Sequence, residues 1–412
     1  MDNASNVIKK ESDFNLLDDQ IYARNVIINK INLAENKKES NVIIVKGGPG
    51  TGKTVIALHL LAEYAGHKEK KYNIFFSSRS KSLIEAIKYK MERGQKSGEV
   101  NAKLLFTNLN PFVPAKTEQN ELDILIVDEA HRIQETSNHR YTPVECRTDM
   151  PQVEQLIRCA KTSIFFIDDK QVIRGAEVGN TSLIKETAIK LGKVVEEVEL
   201  TSQFRCNGSD SYLDWLEFVL GHTNEQRILK KGEKFDFQIK DSPEELYEII
   251  KEKNSQKGMS ARLVAGYCWP WSTKLDEKGN LVKDVKIGNF ELPWETHEKI
   301  NPPEGYVKWY EWAYKPEGIK QIGCIYTAQG FEFDYIGVIV GTDLKYDSKN
   351  DRLVTDITGT KDSTLKKSKD KNRFDEYVRN IYRVLMSRGM KGCYVYFVDK
   401  EVEKYVRSKI EK

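Results

Sequence analysis

The sequence lacks any Cys-x-x-Cys pair: its six cysteines, Cys146, Cys159, Cys206, Cys268, Cys324 and Cys393, are scattered. That excludes the ligand spacing of a zinc ribbon, gives no basis for a disulfide framework, and fits reduced thiols in a cytoplasmic protein. No apolar run approaches the ~20 residues of a membrane span; Ile124-Leu125-Ile126-Val127, for example, is closed by Asp123 and Asp128. Met1-Asp2-Asn3-Ala4-Ser5 leads into Lys9-Lys10-Glu11 without the apolar core of a secretory signal. A dominant charge is missing too: 65 Lys+Arg against 62 Asp+Glu give a formal +3. This excludes a histone-like or ribosomal character and leaves room only for a local basic track. No repeat of solenoid or propeller period is present.

What the chain does have is material for packed cores. Hydrophobic residues make up 39% and charged residues 31% of 412, which predicts a soluble globular protein of two domains. Short β-rich runs recur at Asn41–Val45, Tyr72–Ser77, Lys103–Thr107, Leu122–Val127, Thr162–Ile167, Val194–Leu200, Ala261–Tyr267, Ile322–Ile325, Tyr335–Val340 and Gly392–Val398. Several are continuously apolar, as in strands buried on both faces of a parallel sheet. Helix-like stretches such as Lys53–Tyr64 and Leu83–Glu92 separate them, so the pattern reads as a doubly wound α/β architecture. A boundary is expected near Val198, dividing the chain into 1–198 and 199–412. Between about 269 and 318 the second part is loop-rich and holds five of the six tryptophans: Trp269, Trp271, Trp294, Trp309 and Trp312. This reads as an insertion whose aromatics, with Tyr306 and Tyr310, either pack locally or stack bases. The polar run Lys361–Arg373 reads as a solvated loop.

Gly47-Gly48-Pro49-Gly50-Thr51-Gly52-Lys53-Thr54 satisfies G-x-x-x-x-G-K-[ST] between a strand and a helix. In that context the glycines turn backbone N–H groups around a β-phosphate, Lys53 reaches β/γ oxygens and the Thr54 hydroxyl is a magnesium ligand. Upstream, the amide of Gln20 offers the donor and acceptor that adenine N7 and N6 require. The strand Leu122–Val127 runs into Asp128-Glu129-Ala130-His131, which places Asp128 to hold Mg²⁺ directly or through water and Glu129 to polarise the attacking water. A third apolar strand ends in Asp168-Asp169-Lys170-Gln171, where Gln171 is a neutral group able to sense a γ-phosphate. The later strings Gln203-Phe204-Arg205 and Ser387-Arg388-Gly389 supply guanidinium groups suited to charge on a transferring phosphoryl, and reach across a cleft would tie hydrolysis to domain closure. Ser77-Ser78-Arg79-Ser80-Lys81 is a candidate contact for a nucleic-acid strand.

The ordered set of phosphate loop, Asp-Glu, D-x-x-Q, Q-F-R, Gln329-Gly330-Phe331-Glu332-Phe333-Asp334 and Val384-Leu385-Met386-Ser387-Arg388-Gly389 resembles the motifs of superfamily 1 DNA/RNA helicases. With Cys268-Trp269-Pro270-Trp271 and Tyr382 through Gly392, the chain from about residue 14 onward resembles the Schlafen group 3-like helicase family, also called domain of unknown function 2075. The resemblance implies two RecA-like P-loop NTPase domains with ATP and Mg²⁺ between them and DNA or RNA, single-stranded, across both. By position Gln20 resembles the adenine-reading glutamine, Lys53 and Thr54 the phosphate and magnesium ligands, Asp128 and Glu129 the magnesium and catalytic acids, and Gln171 the γ-phosphate sensor. Arg205 and Arg388 resemble the second-domain arginines, Phe204 the aromatic near the base and Glu332 the ribose-contacting acid. The implied function is an ATP-dependent helicase or translocase; the alternative is an ATP-gated binding switch without unwinding, with protein partners such as a nuclease or another defence or restriction component. Two departures stand out. Asp-Glu-Ala-His suggests superfamily 2, but D-x-x-Q and Q-F-R argue against it, so His131 is expected to be a strand-end residue without a coupling role. With 46 residues before Gly47, the nuclease domain that many relatives place upstream is not expected in this chain.

Overall fold

The computed structural model describes residues 16, 18–48, 50–67, 69–94, 102–171, 176–200, 206, 209–230, 234–366 and 371–411. The chain forms two compact units, Met1–Val172 with Ala176–Gln203, and Ile173–Gly175 with Phe204–Lys412. Among the described residues no helix is long and apolar enough to cross a membrane. All six cysteines are buried thiols.

In the first unit β1 (Asn41–Gly47), β2 (Ile74–Ser78), β3 (Phe106–Thr107), β4 (Leu122–Asp128), β5 (Ala160–Ile167) and β6 (Val194–Leu200) make a six-stranded sheet in the order β3-β2-β4-β5-β1-β6. Every pairing is parallel. The continuous apolar runs follow from cover on both faces. Ile43 and Val45 join a core with side chains of α1 (Asp18–Lys37), α2 (Lys53–Ala65) and α3 (Lys81–Gly94). Val42 and Ile44 point the other way, into a core shared with α4 (Gln152–Arg158) and α5 (Thr181–Lys190). All four β1 side chains are wholly buried, each stabilising the fold by about 1.5–3 kcal/mol relative to exposure. The edge strand β6 carries Glu196 and Glu197, which pair with Lys30 (2.7 Å), Lys46 (3.0 Å) and Lys185 (2.7 Å). A charged edge of this kind discourages further strand pairing.

The second unit contains α6 (Asp210–Val219), β7 (Asp236–Ile239), α7 (Pro243–Ser255), β8 (Ala261–Ala265), the hairpin β9 (Val285–Ile287) and β10 (Phe290–Leu292), and α8 (Ile325–Ala328). After these come β11 (Phe333–Val340), the hairpin β12 (Leu344–Asp347) and β13 (Arg352–Thr355), α9 (Ser363–Lys366), α10 (Lys371–Met386), β14 (Gly389–Phe397) and α11 (Lys400–Ser408). Its parallel sheet has the order β7-β14-β11-β8. Strand β7, half-buried along its four residues, is too short and too polar to stand out in the sequence. The strand expected at Ile322–Ile325 is instead a pair of isolated bridges, Val264↔Gly323 and Trp294↔Ile322, that turn directly into α8. Gly323 lies against the Trp312 ring, which a Cβ there would meet at 2.3 Å.

Of the two readings open for the tryptophans of residues 269–318, packing accounts for the buried ones. Trp294 and Trp312 are wholly enclosed, and their indole N–H groups donate to Pro270 O (2.7 Å) and Gln321 O (2.9 Å). Trp269 and Trp271 likewise donate to Lys286 O and Glu295 O. Nor is Lys361–Arg373 a solvated loop throughout. Asp362 is buried, accepts from the Thr364 and Leu365 amides at the start of α9 and takes the Tyr326 hydroxyl, while α10 begins at Lys371.

Candidate nucleotide site of the first unit

Strands β4, β5 and β1 are neighbours in the sheet, so their carboxyl ends deliver Asp128, Asp168 and Gly47 to one edge. That edge is where open parallel α/β sheets collect ligands.

The phosphate loop bridges β1 and α2. Gly50 and Gly52 have φ of 79° and 82°, the left-handed region that costs other residues roughly 1–2 kcal/mol. A Cβ on Gly47 would meet Thr51 Oγ1 at 2.4 Å, whereas one on Gly48 would meet nothing within 4 Å. Thr51 Oγ1 donates to Gly48 O (3.1 Å), and buried Lys53 donates through Nζ to Gly47 O (2.6 Å) and Gly48 O (2.8 Å). Pro49 lies outside the described residues. Gln20, in the first turn of α1, is buried and its Nε2 donates to Thr51 O at 3.0 Å. The amide therefore braces the loop backbone, a role its position in the sequence does not disclose.

Thr54 Oγ1 donates to Asp128 Oδ2 at 2.7 Å, and the Glu129 amide donates to Asp128 Oδ1 at 2.9 Å. Asp128 is 1% exposed. Burial, then the neighbouring Glu129 charge, pushes its carboxyl above the usual range to about 7, against the pull of the Thr54 and Glu129 hydrogen bonds and of Lys53. A hydroxyl and a carboxylate in contact are the hard oxygen donors that suit Mg²⁺. Among the described residues no group of three or more His, Cys, Asp or Glu could hold a metal by itself. Two protein ligands completed by phosphate and water is the pattern magnesium adopts with nucleotides.

Glu129 has φ 53° and ψ 46°, left-handed backbone at a non-glycine residue, where strain of order 1–3 kcal/mol persists only if the surroundings hold it. A 3₁₀ turn, Ala130–Arg132, follows. His131, at the end of the strand, is wholly buried, with Nε2 3.1 Å from Glu129 Oε2. Burial draws its pKa down, opposed by Glu129, Glu177 and Asp168. Arg132 Nε meets Glu177 Oε1 at 3.3 Å, both side chains buried. Glu177 lies 45 residues from Arg132, and no sequence signal joins the two. Gln171 Nε2 donates to Asp168 Oδ2 at 2.7 Å, and both are buried beyond the end of β5.

Arg388 and Glu332 belong to the second unit. Arg388 is wholly buried with Nη1 3.4 Å from Phe331 O, and Glu332 is exposed just before β11. Phe204 and Arg205 lie outside the described residues. In Ser77–Lys81 the serines are buried, and Ser78 and Ser80 accept from the Ser80 and Leu83 amides at the start of α3, so only Arg79 and Lys81 have substantial exposure.

The chain resembles an uncharacterized protein of Saccharomyces cerevisiae, YPL245W, with 27% identity over 413 residues, 90% of this chain and 85% of that one. Among solved structures it is similar to Pif1 helicase from Candida albicans, at TM-score 0.35 and 11% identity over 96% of this chain and 99% of that chain. It is also similar to the DNA complex of arterivirus nonstructural protein 10, a helicase, at TM-score 0.35 and 12% identity over 92% and 65%. Residues 40–399 match the family described as Schlafen group 3, DNA/RNA helicase domain, and the chain belongs to that family.

Proposed function

We propose that the protein is an ATP-dependent helicase or translocase that hydrolyses ATP with Mg²⁺ between two RecA-like units and acts on DNA or RNA, with a single strand as its track. The observation that carries this reading is the contact of Thr54 Oγ1 with Asp128 Oδ2 at 2.7 Å beside Glu129. Two motifs 74 residues apart thereby form one set of oxygen donors at the end of a parallel sheet.

In this reading the loop amides from Gly47 to Gly52, with Lys53, bind the phosphates. Thr54 and Asp128 would hold magnesium, which would supply charge neutralisation for the phosphates. Glu129 takes the proton of the water whose oxygen bonds to the γ-phosphorus as the bond to the departing ADP oxygen breaks. Gln171 senses the γ-phosphate, and Arg205 and Arg388 stabilise charge on the transferring group. Gln20 reads adenine while bracing the loop, Phe204 stacks near the base, and Glu332 contacts the ribose.

The test is ATP turnover of the purified chain against single- and double-stranded DNA and RNA at two salt concentrations, with Lys53→Ala and Glu129→Gln as controls. Stimulation that falls with salt supports phosphate contacts. Absence of stimulation by every strand refutes the reading, and stimulation without movement or unwinding identifies an ATP-gated switch.

A further inference from the structure

Two helices of the second unit flank the arginine strings. Gln203-Phe204-Arg205 precedes α6, whose N-cap is Ser209, and Ser387-Arg388-Gly389 follows α10. Wholly buried Cys206, next in the chain to Arg205, accepts from the Ser209 amide through its carbonyl at 2.9 Å, which ties that residue to the start of α6. Helices α6 and α10 are joined at three successive turns. Arg379 Nη1 donates to Leu220 O at the carboxyl end of α6, Arg383 Nε donates to Glu217 Oε1, and the Tyr212 hydroxyl donates to Met386 O at 3.1 Å. Positions 379, 383 and 386 lie on one face of α10. Their partners run backwards, 220, 217 and 212, so the helices are antiparallel, and the end of α10 that leads into Arg388 lies beside the first turn of α6.

The links leave little slack. Gly221 closes α6 with φ 77°; its amide and that of His222 donate to Phe218 O (2.9 Å) and Glu217 O (2.8 Å), the bonds of a Schellman turn. A Cβ on Gly221 would meet Arg379 Nη1 at 2.4 Å. The Arg383 and Glu217 side chains are 12% and 19% exposed, and Tyr212 is wholly buried. Apolar contacts alone tolerate sliding, whereas a slip of one turn, ~5.4 Å, would strand a buried charge pair and a buried hydroxyl without partners. These polar groups therefore fix the register of the pair, as a buried polar residue does in a coiled coil.

We propose that Tyr212, Glu217 and Arg383 are positioning residues for hydrolysis: they lock α6 and α10 in one register, so that Arg205 and Arg388 are presented to the transferring phosphoryl as one body. This rests on the ATPase reading above. The three residues act through the two arginines. Guanidinium groups that meet charge developing on the γ-phosphoryl lower the barrier of the chemical step, so a slipped register costs kcat and leaves ADP binding intact.

The experiment uses the full-length chain carrying Glu217→Met and Arg383→Met together, which exchanges the ion pair for apolar side chains and so removes the register lock while sparing stability. Strand-stimulated ATP turnover, ADP–Mg²⁺ affinity and urea unfolding are measured for this double variant, alone and in the Arg388→Ala background. The unfolding midpoint, KM and ADP affinity should stay at wild-type values, and kcat should fall about 10- to 100-fold, the scale of a misplaced reacting group. In the Arg388→Ala background the same double change should cost less, because one of the two groups it positions is already gone. Wild-type kcat in the double variant, a kcat loss matched by a fall in ADP affinity, or an undiminished loss in the Arg388→Ala background would each overturn the proposal. If the double variant is destabilised or does not fold, Tyr212→Phe, which removes one hydroxyl and keeps the ring, decides on the same three comparisons. An inactive wild-type chain would instead remove the ATPase reading on which the proposal stands.

Discussion

Gly52→Ala tests the loop geometry without reference to any ligand. Residue 52 has φ of 82°, and a Cβ there would come within 2.2 Å of Gln20 Nε2. The left-handed backbone costs an alanine about 1–2 kcal/mol. Gln20 is buried, so its amide must also leave Thr51 O, a further loss of about 1 kcal/mol. The sum is about 2–3 kcal/mol, which predicts roughly 30- to 150-fold faster amide exchange across β1 and α2 by hydrogen–deuterium exchange without nucleotide. Exchange is the suitable readout because all six tryptophans belong to the second unit, leaving fluorescence blind to the first. Gly48→Ala in the same loop is the control: a Cβ there meets nothing within 4 Å, and exchange should stay at wild-type rates. Adding Gln20→Ala to Gly52→Ala should relieve the collision, so that the two changes together cost about 1 kcal/mol less than the sum of each alone. Equal effects at residues 48 and 52, or strict additivity with Gln20→Ala, would refute the reasoning.

Asp128 holds its proton more tightly folded than unfolded, between the ordinary 3.8 and about 7, so its contribution to stability declines as pH rises through that window. In chelator, Asp128→Asn should therefore melt above wild type, by a margin that widens between about pH 5 and about pH 7.5; a constant margin contradicts the burial argument. Tyr382→Phe removes a hydroxyl that accepts from Gly341 N (2.8 Å) and donates to buried Asp343. Two buried groups lose their partner, a cost of about 2–3 kcal/mol in urea unfolding followed by tryptophan fluorescence; a loss under about 0.5 kcal/mol would show that water replaces the hydroxyl. Trp312→Ala, at a wholly buried site, should cost about 3–5 kcal/mol in the same assay, against less than about 1 kcal/mol for half-buried Trp309→Ala; similar losses would mean that Trp312 is not part of the core.

Much of the candidate site's geometry was legible because it is local. The motif fixes Gly47, Gly52, Lys53 and Thr54, four of the eight loop positions, all within one strand–loop–helix unit. The Asp-Glu at the end of β4 was readable for the same reason, since a short apolar run closed by acids is a buried strand that stops at a polar edge. Other parts were not. Gln20 braces the loop through Thr51 O across 31 residues of sequence, and nothing in its neighbourhood announces that contact. His131 was set aside because motif order argued against its family label. Only the packing of residues 177–179 on the turn brings its imidazole to Glu129. The strand expected at Ile322–Ile325 failed because an apolar run is ambiguous over four residues, and a large ring beside Gly323 decides the matter.

The sequence by itself determined the local parts and their order: which strands are buried on both faces, where the glycines permit a tight loop, and which acids end a strand. These are properties of periodicity, backbone freedom and residue type, and all are short-range. The tertiary structure alone decided which distant groups share a site. It brought Thr54 to Asp128, His131 to Glu129 and Arg132 to Glu177, and it turned the tryptophans Trp294 and Trp312 into core. Strand order and helix cover select those partners, because a buried polar group needs a hydrogen bond and a buried ring needs close contacts, and neither requirement names its partner until the chain has packed.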